Sequence, residues 1–161
     1  MVVENEGGAE VDENHTEDLK RAYRQTTIIG IAMISSLFIY AFIVEFIKVN
    51  VNININLPSS MVDLLRYLFF GIAIGEFLLI KFLRSRMVSG APSPAKIQKL
   101  LSLTIFTYAL CESVAIYGLI LFLIGGKRFD FYSLMILSLI FFAIYFPRYA
   151  QWEEWLQKEA G

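Results

Sequence analysis

The chain has 161 residues, of which 57% are hydrophobic and 18% are charged, and its formal net charge is −1. Soluble domains are roughly 45–50% apolar and about 25% charged, so this composition argues against a soluble protein and favours one embedded in a lipid bilayer. The near-zero net charge excludes a general attraction to nucleic acid, and we expect no nucleic-acid partner.

Side chains that build catalytic and metal centres are scarce. Cys111 is the one cysteine and His15 the one histidine of the chain, so we expect no disulfide within the chain and no metal cluster built on these residue types. The sequence also lacks a Ser/His/Asp set, a Gly-rich phosphate loop and a redox cysteine pair. We therefore predict a protein that is not an enzyme and that holds no metal or cofactor.

Residues 1–19 are polar and acidic, with little apolar surface to bury, and we predict that they form a disordered tail. The spacing of Asn14 and Glu17 is that of a capping box, which predicts a helix start there. A signal peptide needs a basic segment before a short apolar run, and this tail has none. We therefore expect the first apolar stretch to remain as a membrane span.

Four apolar stretches follow, and each predicts a transmembrane helix. They cover residues 27–47, 61–82, 100–123 and 129–146, which is 18 to 24 residues each. An α-helix rises about 1.5 Å per residue, so each stretch can cross the roughly 30 Å of hydrocarbon. None of them alternates as a barrel strand does. The predicted fold is an all-α membrane protein, with a bundle of four transmembrane helices over residues 20–147.

Basic residues predict the orientation of this bundle. Of the 14 Lys and Arg residues, ten flank the spans on one side and three on the other, and the basic side of a membrane protein faces the cytoplasm. We therefore predict a multi-pass protein of the cell membrane with a cytoplasmic N-terminus and C-terminus. Pro147 is expected to end the fourth helix. Residues 148–161, with Trp152 and Trp155, predict a short helix lying in the membrane interface.

The loop between the first two spans has an unusual pattern. Over residues 49–57, Asn residues alternate with Val, Ile and Leu, and this period of two is typical of a strand. Two interpretations stay open. The segment is either an extended connector lying on the bilayer surface, or a strand that pairs with another copy of the chain or with a partner.

Ionisable residues inside a span are costly, so each needs an explanation. Lys81 lies near the cytoplasmic end of its span and can extend its ammonium group to the interface. Glu45 lies close to the outer end of the first span, and Arg66 close to the outer end of the second. Their matching depths predict an ion pair that closes the first hairpin, and the alternative is a site for a partner or an ion.

Glu112 lies near the middle of the third span, where a charge costs about 3 kcal/mol or more. A carboxyl group there binds a proton more readily than one in water. Glu76 lies in the second span, and if the two carboxyls approach each other they share a proton. Tyr108 or Thr107 is expected to hydrogen-bond to Glu112. Glu112, Glu76 and Tyr108 are thus a candidate proton- or ion-binding site, and the alternative is that Glu112 only holds helices together.

The eleven residues around this carboxyl read Ala109-Leu110-Cys111-Glu112-Ser113-Val114-Ala115-Ile116-Tyr117-Gly118-Leu119. They resemble the carboxyl-bearing helix of the proteolipid c subunits of rotary ATPases, and the basic loop before them is similar to that family's cytoplasmic loop. The resemblance implies that Glu112 is the carboxyl that carries a proton or sodium ion around a rotating ring. Here, however, the carboxyl lies in an odd-numbered span, and the span before it is rich in Leu, Phe and Ile. We therefore interpret the likeness as similar packing around a membrane carboxyl.

Two functions are compatible with these features. The first is a non-catalytic scaffold or accessory subunit, whose partners are the lipid bilayer and either a larger membrane complex or further copies of the chain. The alternative is a small proton- or ion-handling subunit that uses Glu112. The absence of any enzyme motif favours the first.

Overall fold

Four α-helices make up the described part of the protein. The structure is a computed structural model that describes residues 6–50, 58–87 and 94–146. Its helices are α1 (Glu6–Asn50), α2 (Ser59–Met87), α3 (Pro94–Gly125) and α4 (Arg128–Tyr145). The four predicted apolar stretches fall on four different helices, so the prediction of an all-helical fold is confirmed.

Proline and glycine mark the helix ends. α3 begins with Pro94, at the first helical position, where the missing N–H of proline costs nothing. After α3, Gly126 adopts a φ of +65°, and its N–H donates to the carbonyl oxygen of Phe122 at 2.7 Å, which is a left-handed helix ending suited to glycine. Phe146 follows α4 with φ −59° and ψ 128°, the extended conformation expected before Pro147.

Helices α1 and α3 run in the same direction. Leu19, early in α1, packs with Leu100, early in α3. Further along both helices, Ser36 of α1 donates a hydrogen bond to Glu112 of α3. The partners thus advance together along the two helices, as they do only in a parallel pair.

Helices α2 and α4 also run parallel to each other and opposite to the first pair. Arg66 pairs with Asp130 near the start of α2 and α4, and Arg84 contacts the ring of Tyr145 near their ends. Since α3 and α4 are joined by two residues and pack closely, they form an antiparallel hairpin. The chain therefore follows an up-down-up-down path.

Helix α3 lies at the centre of this bundle. It packs along α4 most extensively, while α1 and α2 contact it on different sides and scarcely touch each other. The largest cluster of buried apolar side chains joins all four helices: Leu37, Ala73, Ile80, Tyr108, Cys111, Val114, Ala115, Leu121, Leu134, Phe141, Phe142 and Tyr145.

Three of the described helical segments are long and apolar enough to cross a membrane: Glu17–Asn50, Leu100–Gly125 and Arg128–Tyr145. Helix α2 has 29 residues but carries Arg66, Glu76 and Lys81 within its apolar segment, and it is not one of the three. The outer surface is nevertheless apolar on every helix. Its exposed side chains include Ile31, Phe38, Phe42, Leu64, Leu68, Leu78, Phe106, Ile136, Ile140 and Ile144.

The ends of the chain differ in part from the sequence prediction. Helix α1 begins at Glu6, so the predicted disordered tail over residues 1–19 and the predicted helix start at Asn14 are wrong from Glu6 onward. Acidic residues near a helix N-terminus are favourable because they oppose the helix dipole. Helix α1 ends at Asn50. Residues 51–57 of the Asn-rich loop and the predicted interfacial helix over 148–161 lie outside the described residues.

Candidate functional site

The carboxyl group of Glu112 is held between α3 and α1. Its Oε1 accepts a hydrogen bond from the Ser36 hydroxyl at 2.5 Å and another from the Tyr40 hydroxyl at 2.8 Å. Ser36 and Tyr40 are four residues apart and therefore lie on the same face of α1, one turn from each other. We call this arrangement, one glutamate with two donors spaced i and i+4 on the neighbouring helix, a carboxyl clamp.

A second carboxyl clamp joins α2 to α3. Oε1 of Glu76 accepts hydrogen bonds from Ser113 at 3.0 Å and from Tyr117 at 2.8 Å. The Glu76 side chain is 9% exposed, and its Oε2 is buried without a hydrogen-bond partner among the described residues. The clamp thus repeats the Ser-x-x-x-Tyr donor pair of the first, on a different helix.

The two mid-helix carboxyls do not form the predicted proton-sharing pair. Glu112 bonds to α1, whereas Glu76 bonds to Ser113 and Tyr117 on α3. Since consecutive helix residues point about 100° apart, Glu112 contacts α1 whereas the adjacent Ser113 contacts α2. Each carboxyl therefore has its own hydroxyl donors, and no hydrogen bond in the described part of the chain joins one carboxyl to the other.

Tyr108 also differs from its predicted role. It is fully buried, and its hydroxyl has no hydrogen-bond partner in the part of the chain that the structure describes. Its ring packs on Phe142, with 5.6 Å between ring centroids, and against Gly30, where an added Cβ would lie 3.0 Å from the ring. Tyr108 is therefore a core residue of the bundle, and Ser36 and Tyr40 take the place predicted for it beside Glu112.

The predicted ion pair between Glu45 and Arg66 is wrong, because each residue pairs with α4 instead. Arg128 lies 3.3 Å from Glu45, and the Tyr132 hydroxyl donates to Glu45 at 2.8 Å. This is a third carboxyl clamp, again with donors four residues apart. Matching depth was not sufficient to predict the pairing, since α1 and α2 contact α3 on different sides.

Arg66 forms the most buried ion pair of the described residues. Its guanidinium donates two hydrogen bonds to Asp130, at 2.8 and 2.9 Å, and one to Asp63 at 2.7 Å. The Asp130 side chain is 3% exposed and that of Arg66 is 23% exposed. Two parallel bonds from guanidinium to carboxylate give this contact both strength and a fixed geometry.

Six donors and one acceptor of these contacts were not predicted from the sequence. The donors are Ser36, Tyr40, Ser113, Tyr117, Arg128 and Tyr132, and the acceptor is Asp130. A signal for six of them was present, because α1, α3 and α4 each carry a polar residue followed four positions later by Tyr. In an apolar helix such a pair predicts two hydrogen-bond donors on one face. Three of these pairs, Ser36/Tyr40, Ser113/Tyr117 and Arg128/Tyr132, each contact one glutamate of a neighbouring helix. The pair Thr104/Tyr108 on α3 has the same spacing and does not, because Thr104 donates to its own helix and the Tyr108 hydroxyl has no partner among the described residues.

The face of α2 that points away from the bundle is apolar and contains two glycines. It is formed by Leu64, Tyr67, Leu68, Gly71, Gly75 and Leu78, which follow helical spacing, and we call it the outer face of α2. Nothing lies within 4 Å of a Cβ built at Gly71 or at Gly75. The shallow strip above these glycines is therefore open.

The described residues contain no group of three or more His, Cys, Asp or Glu side chains that could hold a metal ion. Cys111 is a free, buried thiol. A comparison with known protein families, with curated proteins and with solved structures finds no match to this chain. The features of this chain that bear on function are therefore the carboxyl clamps, the Arg66–Asp130 pair and the outer face of α2.

Proposed function

We propose that this chain is a multi-pass protein of the cell membrane that crosses the bilayer four times, with both ends in the cytoplasm. The up-down-up-down path supports an even number of crossings, because it brings the starts of α1 and α3 to the same end of the bundle as the ends of α2 and α4. By sequence, ten of the 14 Lys and Arg residues flank the predicted spans on that side, which is the cytoplasmic side by the positive-inside rule.

The charged residues of α2 are compatible with a membrane span because each has a way to avoid lipid. Arg66 pairs with the buried Asp130 and with Asp63, whose side chain is 48% exposed at the start of the helix. Glu76 accepts two hydroxyl hydrogen bonds inside the bundle. Lys81 is exposed close to the cytoplasmic end, where its side chain can reach the headgroups. The 29-residue length of α2 is more than a span requires.

We further propose that the protein is a non-catalytic accessory or scaffold subunit of a larger membrane complex. The observation that carries this proposal is the open strip over Gly71 and Gly75. Transmembrane helices associate through pairs of small residues four positions apart, since these let two backbones approach closely. The occupant that fits is an apolar transmembrane helix of a different membrane protein.

Substituting these glycines tests the proposal with little disturbance of the bundle. Because a Cβ at Gly71 or Gly75 meets no neighbour, Gly71→Leu together with Gly75→Leu is expected to leave the fold intact. A tagged protein purified from native membranes in mild detergent is expected to retain a stoichiometric larger subunit. The double variant is expected to lose that subunit.

Two exposed alanines provide matched controls. Ala32→Leu on α1 and Ala143→Leu on α4 add the same side chain to the lipid-facing surface elsewhere, and both are expected to retain the partner. Equal recovery of the partner with the glycine variant and with the controls contradicts docking at the outer face of α2. Recovery of the chain only with copies of itself contradicts the accessory role.

A second candidate function is favoured by the two clamps inside the bundle. Glu112 and Glu76 each lie in a helix interior and accept hydrogen bonds from two hydroxyl groups of a neighbouring helix. Together with the resemblance around Glu112 to rotary-ATPase proteolipids, this supports a proton-handling subunit. Proton flux into vesicles that exceeds the protein-free rate and is lost in Glu112→Gln would favour this function, whereas the scaffold proposal predicts no excess flux.

A further inference from the structure

The C-terminal end of α2 carries three polar side chains on one side of the helix. Lys81, Arg84 and Ser85 follow the spacing i, i+3 and i+4, which makes them neighbours on the helix surface. Lys81 and Ser85 are exposed, and Arg84 is half-buried. None of the described ion pairs includes Lys81 or Arg84. Two positive charges therefore lie together without a carboxylate from the described residues.

The guanidinium group of Arg84 is held against the end of α4. Its Cζ lies 5.5 Å from the centroid of the Tyr145 ring, a distance at which a cation is attracted to an aromatic face. Its Nη1 lies 3.5 Å from the Tyr145 carbonyl oxygen, at the limit of hydrogen-bond distance. A guanidinium group has five N–H donors, so most of them have no acceptor among the described residues and are available to an anion.

The line along which α2 meets α4 starts beside these cations. The Phe77 ring of α2 packs on the rings of Phe141 and Tyr145 of α4, with centroids 5.3 and 5.9 Å apart. Lys81 lies four residues after Phe77 and three before Arg84, so it adjoins both on the surface of α2. The ammonium group of Lys81 is therefore next to the contact between the two helices.

Exposed apolar side chains border the same line on both helices. On α2, Ile74 lies three residues before Phe77 and adjoins it. On α4, Ile144 lies three residues after Phe141 and four after Ile140, and all three isoleucines are exposed. Helix α4 packs on α3 far more closely than on α2, which leaves a shallow apolar groove between α2 and α4. We call it the α2–α4 groove, formed by Ile74, Phe77, Ile140 and Ile144.

The polar side chains lie near the depth of lipid headgroups if α2 crosses the bilayer as proposed. Glu76 bonds to Ser113, next to the mid-span Glu112. Lys81 and Ser85 are five and nine residues further along α2, which is roughly 8 and 14 Å at 1.5 Å per residue. Half of the hydrocarbon thickness is roughly 15 Å. The groove thus lies at the depth of acyl chains, and its basic end lies at the depth of phosphate groups.

We infer that the α2–α4 groove and its basic end bind one anionic phospholipid of the cytoplasmic leaflet. Lys81 and Arg84 hold the phosphate group, and the groove holds an acyl chain. The Ser85 hydroxyl donates to the Phe82 carbonyl oxygen at 2.8 Å and keeps its acceptor capacity for a headgroup hydroxyl. Basic pockets between transmembrane helices on the cytoplasmic side are typical sites for such headgroups.

This site goes beyond the proposed scaffold role and is compatible with it. The α2–α4 groove is a different surface from the outer face of α2, where Gly71 and Gly75 are expected to meet the partner helix. The choice of the cytoplasmic leaflet rests on the proposed orientation, whereas the affinity for the lipid does not.

Native mass spectrometry of the purified full-length chain in nonionic detergent counts bound lipids and tests the inference. Dioleoyl phosphatidylglycerol and dioleoyl phosphatidylcholine have the same acyl chains, so a difference in binding reports the headgroup. We expect the wild type to bind one phosphatidylglycerol in preference to phosphatidylcholine, and to keep it in excess inorganic phosphate, which has no acyl chain. Equal binding of the two lipids, or displacement by inorganic phosphate alone, overturns the inference.

Lys81→Met and Arg24→Met provide a matched pair of variants. Each removes one positive charge from an exposed position at the same end of the bundle, but Arg24 lies on α1. Lys81→Met is expected to weaken phosphatidylglycerol binding about fivefold, the factor that corresponds to one basic residue near an anionic surface. Arg24→Met is expected to bind as the wild type does. Equal weakening by the two changes contradicts a site at the α2–α4 groove.

The lipid measurement can fail separately from the proposed function, since binding in detergent requires neither a partner subunit nor an orientation. A chain that prefers phosphatidylglycerol but exposes the end of α2 outside the cell supports the lipid site and contradicts the orientation. A chain with a cytoplasmic end of α2 and no preference between the two lipids contradicts the lipid site alone.

Discussion

Arg66→Met is expected to destabilise the bundle by about 3–5 kcal/mol, the usual cost of removing one partner of a buried ion pair. The substitution leaves the Asp130 carboxylate 3% exposed without the guanidinium that donates two hydrogen bonds to it. The free energy of unfolding, measured by SDS titration in lipid–detergent micelles, reports the loss. Changing the partner as well, in Arg66→Met with Asp130→Leu, is expected to recover much of it, because no unpaired charge then remains buried.

Arg128→Met is the matched control at the same end of the bundle. Arg128 and Glu45 are 45% and 42% exposed, and pairs that water or headgroups can reach contribute less than about 1 kcal/mol. Both substitutions remove one guanidinium group. The main difference between them is the carboxylate left behind, which is buried for Asp130 and exposed for Glu45. Equal destabilisation by the two changes would contradict the prediction that the unpaired Asp130 carboxylate is costly because it is buried.

Gly118→Leu is expected to lower stability by about 1–3 kcal/mol through overpacking between α3 and α4. A Cβ at Gly118 would lie 3.0 Å from the backbone oxygen of Phe131 and 3.1 Å from Cβ of Leu134. A backbone oxygen cannot move aside as a flexible side chain does, so the two helices must separate. The same SDS titration measures the effect.

Gly71→Leu provides the comparison on α2. Nothing lies within 4 Å of a Cβ there, and leucine has a higher helix propensity than glycine by up to about 1 kcal/mol. We expect the isolated variant protein to be as stable as the wild type or slightly more stable. If Gly118→Leu is equally harmless, the close packing of α3 on α4 is not a feature of the folded protein.

The helices could be predicted from the sequence because their signal is one-dimensional. Runs of apolar residues such as 100–123 are long enough to span a bilayer, and length alone predicts a helix in that setting. The start of α1 was placed too late because an acidic, polar segment carries no apolar periodicity, although acidic side chains favour a helix N-terminus. Composition separated the span from the tail, but it did not show where the helix begins.

The contacts between helices could be predicted only in part. Glu112 stood out as a mid-helix carboxyl, but its depth did not indicate which neighbouring helix would supply its donors. Glu45 and Arg66 have similar depths, yet both pair with α4, at Arg128 and Asp130. Depth is one coordinate along the membrane normal, and the order of helices around the bundle is a second one that four apolar stretches do not specify.

Labelling of single cysteines in intact cells tests the four-span arrangement most directly. In a protein with Cys111→Ala, a cysteine is placed at one exposed position at a time: Glu17, Ser60, Ser85 or Lys127. A membrane-impermeant maleimide is expected to label positions 60 and 127 from outside the cell, and positions 17 and 85 only after the membrane is permeabilised. Labelling of positions 60 and 85 from the same side would contradict the account, because α2 would then not cross the bilayer.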